Sequence, residues 1–100
     1  PRVASIASLD AGSLEFPLLL RRWRQGDRFQ PLGLSGHKKV SDYLINSKVP
    51  LPDKDHTWVI ESGGKIVWLV GHRIDERVKI TSATNAILQI EYLQPDESDT

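Results

Sequence analysis

The chain contains no cysteine and no methionine among its 100 residues. Without cysteine it can form no disulfide, offer no thiolate nucleophile and build no zinc site from cysteine ligands, and its composition is compatible with the reducing cytosol. A natural translation product begins with methionine, whereas this chain begins at Pro1. We therefore expect the chain to be an excised piece of a longer protein, with part of the function lying outside it.

Long apolar runs and nucleotide-binding motifs are also missing. No run approaches the roughly 20 apolar residues that a membrane-spanning helix needs, so no membrane partner is predicted. The sequence has no GxxxxGK[ST] phosphate loop and no GxGxxG turn, and no serine lies in a GxSxG elbow. The three histidines, His37, His56 and His72, are too scattered to predict a metal site. Nothing local therefore predicts catalysis within these residues.

Charge is the feature that is present and unevenly placed. The 13 basic and 13 acidic residues cancel over the whole chain. The stretch from Arg21 to Lys39 nevertheless holds six basic residues and one acid, a local charge of about +5. Residues 1–20 carry a charge of −1 and residues 40–100 carry −4. A segment this cationic can attract a polyanion although the total charge is zero.

The length and the hydrophobic pattern predict one domain of the α+β class. We expect it to be β-dominated, a small sandwich or barrel-like sheet of about six strands with one main helix, formed by residues 1–94. Residues 95–100 are read as an acidic, disordered tail. The predicted strands are Val3–Ser8, Leu14–Trp23, His56–Ile60, Ile66–Val70, Ile74–Thr81 and Ala86–Leu93. Ser62-Gly63-Gly64 predicts that the third and fourth form a β-hairpin, and Pro17 favours an edge position for the second.

The main helix is predicted over Lys39–Ser47. Its apolar face would consist of Val40, Tyr43, Leu44 and Ser47, and prolines 50 and 52 would close the segment. The two acids at positions 53 and 55 are read as a solvated turn rather than as a catalytic pair.

Two parts of the basic stretch are candidates for anion binding. The first is the arginine-rich strand and turn around Gln25–Asp27, where Trp23 and Phe29 interleave with the arginines as aromatics do at nucleic-acid surfaces. We favour core positions for both aromatics. From charge alone, the arginines serve equally well as partners of the acidic half of the chain.

The second part is the predicted helix start. Lysines are electrostatically unfavourable at a helix N-terminus, so Lys38 and Lys39 there indicate an anion site, with Ser35 or Gly36 capping the helix and a phosphate as the natural guest. The alternative to an anion site is that both lysine side chains simply extend into water. A third cluster, residues 73–77, is expected to be a mixed-charge turn with internal ion pairs, in which Arg73 is the best candidate to face a ligand.

Several motifs occur together in an order that resembles one known family. They are Gly-Asp-Arg-Phe-Gln-Pro-Leu-Gly (26–33), Lys-Lys-Val-Ser-Asp-Tyr-Leu-Ile (38–45), Lys-Val-Pro (48–50), Val-Trp-Leu-Val-Gly (67–71) and Arg-Ile-Asp-Glu-Arg (73–77). The stretch from Leu18 to Thr81 resembles the C-terminal domain of tRNA(Ile)-lysidine synthetase. That domain is similar to one in the β subunit of phenylalanyl-tRNA synthetase and has a β-sandwich-like core.

The resemblance implies a function in tRNA modification. Enzymes of this family are cytoplasmic ligases that use ATP, with magnesium, and free lysine to convert a cytidine in the CAU anticodon of isoleucine tRNA into lysidine. The ATP site lies in an N-terminal domain, so this chain is expected to need no cofactor and to be inactive alone. Ser62-Gly-Gly-Lys65 lacks the aspartate and serine of that ATP loop. The C-terminal domain of the family helps to recognise tRNA, chiefly on the acceptor-stem side.

Two roles for the basic face therefore remain. In the first, it contacts tRNA phosphates and sugars, with the rest of the parent enzyme as the other partner. In the second, it is a docking module that binds an acidic patch of its parent or of another subunit. The predicted tRNA-binding residues are Arg21, Arg22, Arg24, Arg28, His37, Lys38, Lys39 and Arg73.

Overall fold

The structure, a computed structural model, describes residues 2–49 and 51–95. Eight strands and two α-helices lie within these ranges. The strands are β1 (Arg2–Asp10), β2 (Leu19–Arg22), β3 (Arg28–Phe29), β4 (Lys38–Lys39), β5 (Trp58–Ser62), β6 (Lys65–Leu69), β7 (Arg73–Ile74) and β8 (Ile87–Pro95), and the helices are α1 (Val40–Asn46) and α2 (Leu51–Asp55). The predicted β-dominated α+β class is confirmed. The predicted tail falls, beyond Pro95, outside the described residues.

The described strands form three antiparallel sheets. A two-stranded ribbon joins β1 to β8, a four-stranded sheet has the order β2-β5-β6-β7, and β3 pairs with β4. These strands therefore do not close into a barrel. The count of about six strands and one helix was too low. It missed β3 and β4, which have two residues each and carry no periodic signal, and it missed helix α2.

The four-stranded sheet is the middle layer of the domain. On one face, Ala7 and Leu9 of the ribbon pack against Ile60 and Trp68. On the other face, a second cluster joins α1 to the sheet and to Phe29, and all of its members are buried. Those members are Phe29, Val40, Tyr43, Leu44, Val59, Ile66 and Leu69. Burial on both faces explains why β6 is an almost continuous apolar run.

Alternation along the ribbon decides which side faces the core. Ala7 and Leu9 are buried, whereas Ile6, the neighbour of Ala7, is 58% exposed. Successive side chains of a strand point to opposite faces, so a period of two gives one buried and one solvated face. The strands predicted over Val3–Ser8 and Ala86–Leu93 are confirmed as parts of β1 and β8.

The hairpin of β5 and β6 is also confirmed. Gly63 and Gly64 connect the strands with φ angles of 57° and 81°. Two consecutive residues with positive φ are required by the tight turn that matches the twist of a hairpin, and glycine adopts them without steric penalty.

Helix α1 buries three of its four predicted apolar-face residues, Val40, Tyr43 and Leu44. The fourth, Ser47, is exposed because the helix ends at Asn46. The end is a Schellman motif: Val49 N–H donates to the Leu44 carbonyl at 3.2 Å and Lys48 N–H donates to the Ile45 carbonyl at 3.0 Å. Lys48 has a φ of 57° at the position where glycine is usual.

Two predicted strands were largely wrong. Of Leu14–Trp23, only Leu19–Arg22 is a strand; it lies at the sheet edge, as the proline at position 17 indicated. Of Ile74–Thr81, only Ile74 is in a strand. Asp75 then accepts a hydrogen bond from the Arg77 backbone N–H and caps a 3₁₀ turn, Glu76–Val78, which ends the extended conformation.

The turn predicted at the acids of positions 53 and 55 is instead helix α2, although both acids are exposed as expected. Pro52 lies in its first turn, where a proline is tolerated because the N–H there has no intrahelical acceptor. Neither described helix is long and apolar enough to cross a membrane.

The strained end of α1 gives a test of the fold. We expect Lys48→Gly to raise the free energy of unfolding by about 0.5–1 kcal/mol, because glycine relieves the penalty of a left-handed backbone. Urea denaturation measures the change. Lys65→Gly, at the start of β6, is the matched control and should lower the free energy of unfolding. A destabilised Lys48→Gly would contradict the motif.

Candidate nucleic-acid interface

Arg21, at the head of the basic stretch, is bonded within the protein. Its guanidinium contacts Asp27 at 2.9 Å and Glu61 at 2.8 Å, and its side chain is 17% exposed. Hydrogen bonding to Asp27 outweighs desolvation and holds the pKa of Arg21 above its ordinary value. The positive charge of this arginine is therefore balanced inside the domain.

Asp27 also shapes the turn between β2 and β3. Its carboxylate accepts a hydrogen bond of 2.7 Å from the Arg24 backbone N–H. Burial alone would raise the pKa of Asp27, but the hydrogen bonds from Arg21 and from the Arg24 backbone hold it below the ordinary value. The single acid of the basic stretch thus folds the turn, and the side chain of Arg24 remains exposed.

A shallow depression brings together four of the predicted tRNA-binding residues, Arg28, His37, Lys38 and Lys39. Its volume is about 310 Å³, and β3, β4 and α1 form its walls. Its lining residues are Arg28, His37, Lys38, Lys39, Asp42, Ile45 and Asn46. We call this feature the basic depression. Its three full positive charges exceed the one negative charge of Asp42, so a net positive charge remains.

The pairing of β3 with β4 forces like charges together in the basic depression. Arg28 lies directly opposite Lys39 in the antiparallel register. Directly opposed side chains have Cβ atoms about 4.5–5.5 Å apart, and like charges at that distance are destabilising. Both side chains are exposed, and neither forms an ion pair within the described part of the chain. The fold therefore concentrates uncompensated positive charge at this point.

The start of α1 differs from the prediction. Lys39, rather than Ser35 or Gly36, occupies the N-cap position, and its side chain makes no capping hydrogen bond. The first helical N–H, that of Val40, donates to the Asp27 carbonyl at 2.9 Å. Residues 34–37 form a separate loop because Lys38 and Lys39 are drawn into a strand. That the lysines contact phosphate remains a prediction.

Arg73 lies apart from the basic depression and connects three elements. It donates to the Tyr43 hydroxyl at 3.1 Å and to the Leu32 carbonyl at 2.7 Å, and its guanidinium lies 5.9 Å from the Tyr43 ring centroid. These contacts fasten the loop after β3 to α1 and β7. Its predicted contact with tRNA is untested, and the bonds indicate a structural role.

The expected mixed-charge turn contains an ion pair between a buried carboxylate and a partly exposed arginine. The Asp75 carboxylate, whose side chain is 1% exposed, contacts the Arg77 guanidinium at 2.8 Å. It also accepts a hydrogen bond of 2.8 Å from the Gln30 backbone N–H. Burial would raise the pKa of Asp75, but the bonds from Arg77 and Gln30 hold it below its ordinary value.

Both aromatics of the basic stretch take the favoured core positions. Phe29 is fully buried, and Trp23 packs against the same cluster while its indole N–H donates to the Lys54 carbonyl at 2.6 Å. Within the described ranges, no group of three or more His, Asp or Glu side chains could hold a metal ion.

Sequence reasoning missed a stacked pair next to the basic stretch. Arg22 lies opposite Trp58 in the register of β2 and β5, and its guanidinium carbon is 4.4 Å from the Trp58 ring centroid. The two residues line a groove separate from the basic depression. The arginine was found from charge, but its partner lies 36 residues away and only strand pairing identifies it.

The fold and the depression define a small β-rich domain with a cationic surface. A known domain family, described as the TilS substrate C-terminal domain, matches residues 18–92. The chain belongs to this family, so the resemblance drawn from its motifs is confirmed.

Curated relatives and a solved structure agree with this assignment. A tRNA(Ile)-lysidine synthase of Parabacteroides distasonis is 46% identical over 88% of this chain and 20% of its own length. The synthase of Bacteroides thetaiotaomicron is 39% identical over 88% of this chain and 21% of its length. The chain thus spans about a fifth of these relatives. A crystal structure of a TilS C-terminal domain matches with a TM-score of 0.74 and 26% identity, covering 90% of this chain and 69% of that one.

The buried carboxylate of Asp75 predicts a pH dependence of stability. Because folding lowers the pKa of Asp75, its contribution is present above the ordinary pKa of about 4 and is lost as the pH falls below it. We expect Asp75→Asn to lower the free energy of unfolding by about 3 kcal/mol at pH 7. Below about pH 4, the free energy of unfolding should fall less steeply with pH in the variant than in the wild type. Urea midpoints measured across pH test this, with exposed Glu91→Gln as control. An unchanged profile would contradict the role of Asp75.

Proposed function

We propose that this chain is the tRNA-recognition domain of a tRNA(Ile)-lysidine synthase and that its basic depression binds the RNA backbone. The observation that carries the proposal is the opposed, uncompensated pair Arg28 and Lys39, flanked by Lys38 and His37. A fold that holds like charges together without a counterion is stabilised when a polyanion neutralises them.

The chemistry of the depression favours contacts to phosphate and sugar over contacts to base edges. Its donors are flexible lysines, one arginine and one exposed histidine on an open surface. In A-form RNA the major groove is too deep and narrow for side chains to read, so duplex recognition proceeds largely by shape and backbone. Exposed Arg24, on the neighbouring turn, adds to the same cationic field.

The relatives are named tRNA(Ile)-lysidine synthases, and these names support a proposed reaction for the whole protein. As the family resemblance implies, we assign to it the conversion of the anticodon cytidine of isoleucine tRNA (anticodon CAU) to lysidine, with ATP, magnesium and free lysine in the cytoplasm. This chain offers ATP no phosphate loop. No chemical step is therefore assigned to its residues, and their contribution is to hold the substrate tRNA.

The role of the basic depression is tested with the double variant Lys38→Ala, Lys39→Ala. We expect affinity for tRNA to fall by at least tenfold at moderate salt, and the slope of log K against log salt to fall by about one unit per lysine. The fold should keep its stability, because lysines at the start of a helix are unfavourable by several tenths of a kcal/mol each. Fluorescence anisotropy with labelled tRNA measures affinity, and thermal melting measures stability.

The matched control is Lys48→Ala, Lys65→Ala, which removes the same charge from two exposed lysines outside the basic depression. It should weaken binding by no more than about twofold. Wild-type affinity in the Lys38, Lys39 double variant would overturn the proposed site. Wild-type tRNA binding with reduced activity of the full-length enzyme would instead identify this face as an interdomain docking surface.

The division of labour within the parent has its own test. Incubated with ATP, lysine and isoleucine tRNA, this chain should form no lysidine, whereas the full-length enzyme should form it. Mass spectrometry of the digested tRNA detects the product. Any turnover by the chain alone would contradict the assignment of catalysis to the remainder of the protein.

A further inference from the structure

A second concavity is a groove at the edge of the ribbon and the four-stranded sheet. Its volume is about 460 Å³, within the range of small-ligand sites. The Arg22–Trp58 stack lines one part of it, and the rung Ser5–Tyr92 of the ribbon lines another. The contacts proposed between the basic depression and the RNA backbone do not involve this groove.

The guanidinium of Arg22 lies over the Trp58 ring at the groove, with its carbon 4.4 Å from the ring centroid. The Arg22 Nη1 donates to the Asp55 carbonyl at 3.4 Å. Trp58 in turn packs against the core cluster that includes Ala7 and Leu9. Arg22 itself is exposed, so a planar cation with a rigid support presents its outer face to solvent.

The remaining lining combines hydroxyl and imidazole groups with the apolar Val70. Ser5 and Tyr92 contribute hydroxyl groups, and the His72 ring lies beside them. Partial burial lowers the pKa of His72, so near neutral pH its imidazole is uncharged and offers one donor and one acceptor. Asp53 supplies an acid that offsets the charge of Arg22.

This chemistry differs from that of the basic depression and suits a nucleobase. A phosphate is attracted by several unbalanced cations, whereas the groove has one cation and one acid. A base needs a flat surface for stacking and neutral hydrogen-bonding groups for its edge, and arginine planes serve as such surfaces in RNA recognition. In a duplex, neighbouring bases cover both faces of each base. A nucleotide that stacks on Arg22 must therefore be unpaired.

We infer that this groove binds one unpaired nucleotide of the RNA, with its base stacked on the guanidinium of Arg22 and its edge or ribose directed to Ser5, His72 and Tyr92. The inference rests on the proposed function, because the nucleotide belongs to the same RNA whose backbone lies in the basic depression. The two sites follow each other along the chain, since Arg22 and Arg28 flank one turn.

The test compares three labelled RNA hairpins that share one stem, closed by a non-nucleotide linker so that no loop base is unpaired. The first is blunt, the second has a short unpaired extension, and the third has the same extension with abasic nucleotides. Base stacking makes us expect about tenfold tighter binding of the second than of the first by anisotropy. The third should bind within about threefold of the first, because its phosphates remain but its bases do not. Equal affinity for the second and third would overturn the inference.

Variants assign the gain to Arg22. Arg22→Ala and Arg22→Lys should both reduce it to within about twofold, since lysine keeps the charge but lacks the plane. The gain is the ratio of each variant's own affinities for the extended and the blunt hairpin, so a change in its general affinity for RNA cancels. Thermal melting shows that both variants fold. The double variant Lys38→Ala, Lys39→Ala should weaken binding to all three RNAs by the same factor. The roughly tenfold preference for the extended hairpin over the blunt one should remain. Retention of the gain in Arg22→Lys would overturn the stacking assignment.

The outcomes separate this inference from the proposed function. If the wild-type chain binds the blunt and extended hairpins equally well, the groove is not a nucleotide site and the basic depression stands. If it binds none of the three RNAs at low salt, the proposed function fails together with the inference.

Discussion

The buried carboxylate of Asp75 is the constraint on which the functional surface depends. It binds Arg77 and the Gln30 backbone, and the neighbouring Glu76 N–H donates to the Gln30 carbonyl at 2.7 Å. A carboxylate with no access to water is stable only when hydrogen-bond donors surround it. The segment after β3 must therefore lie against Asp75, where the Gln30 backbone N–H donates to the carboxylate. That requirement holds β3 against the sheet, and β3 places Arg28 opposite Lys39.

Two pairs of cations in this domain have different roles that a charge count does not distinguish. Arg21 and Arg77 are bonded to buried or half-buried carboxylates, so their charge is compensated and serves folding. Arg28 and Lys39 face each other without a counterion, so their charge is available to a ligand. The cationic stretch is therefore both a folding element and a binding surface, divided at the turn that Asp27 closes.

Local signals allowed much of the fold to be predicted. Paired glycines marked the β5–β6 hairpin, alternation marked β1 and β8, and the spacing of Val40, Tyr43 and Leu44 marked α1. The failures share a cause. The two-residue strands are too short to show alternation and are defined only by the strands with which they pair, and the strand predicted over Ile74–Thr81 was interrupted because the Asp75 side chain caps a turn. Neither effect leaves a periodic pattern.

The sequence by itself determined the class of the domain, the location of its excess charge and its family, because composition, periodicity and motif order are properties of the chain. Only the tertiary structure decided which cations are free. Arg21 and Arg22 are adjacent and chemically identical, yet one side chain meets Asp27 and Glu61 while the other lies on Trp58. Alternation along a strand sends neighbours to opposite faces, and the pairing strand decides what each one meets.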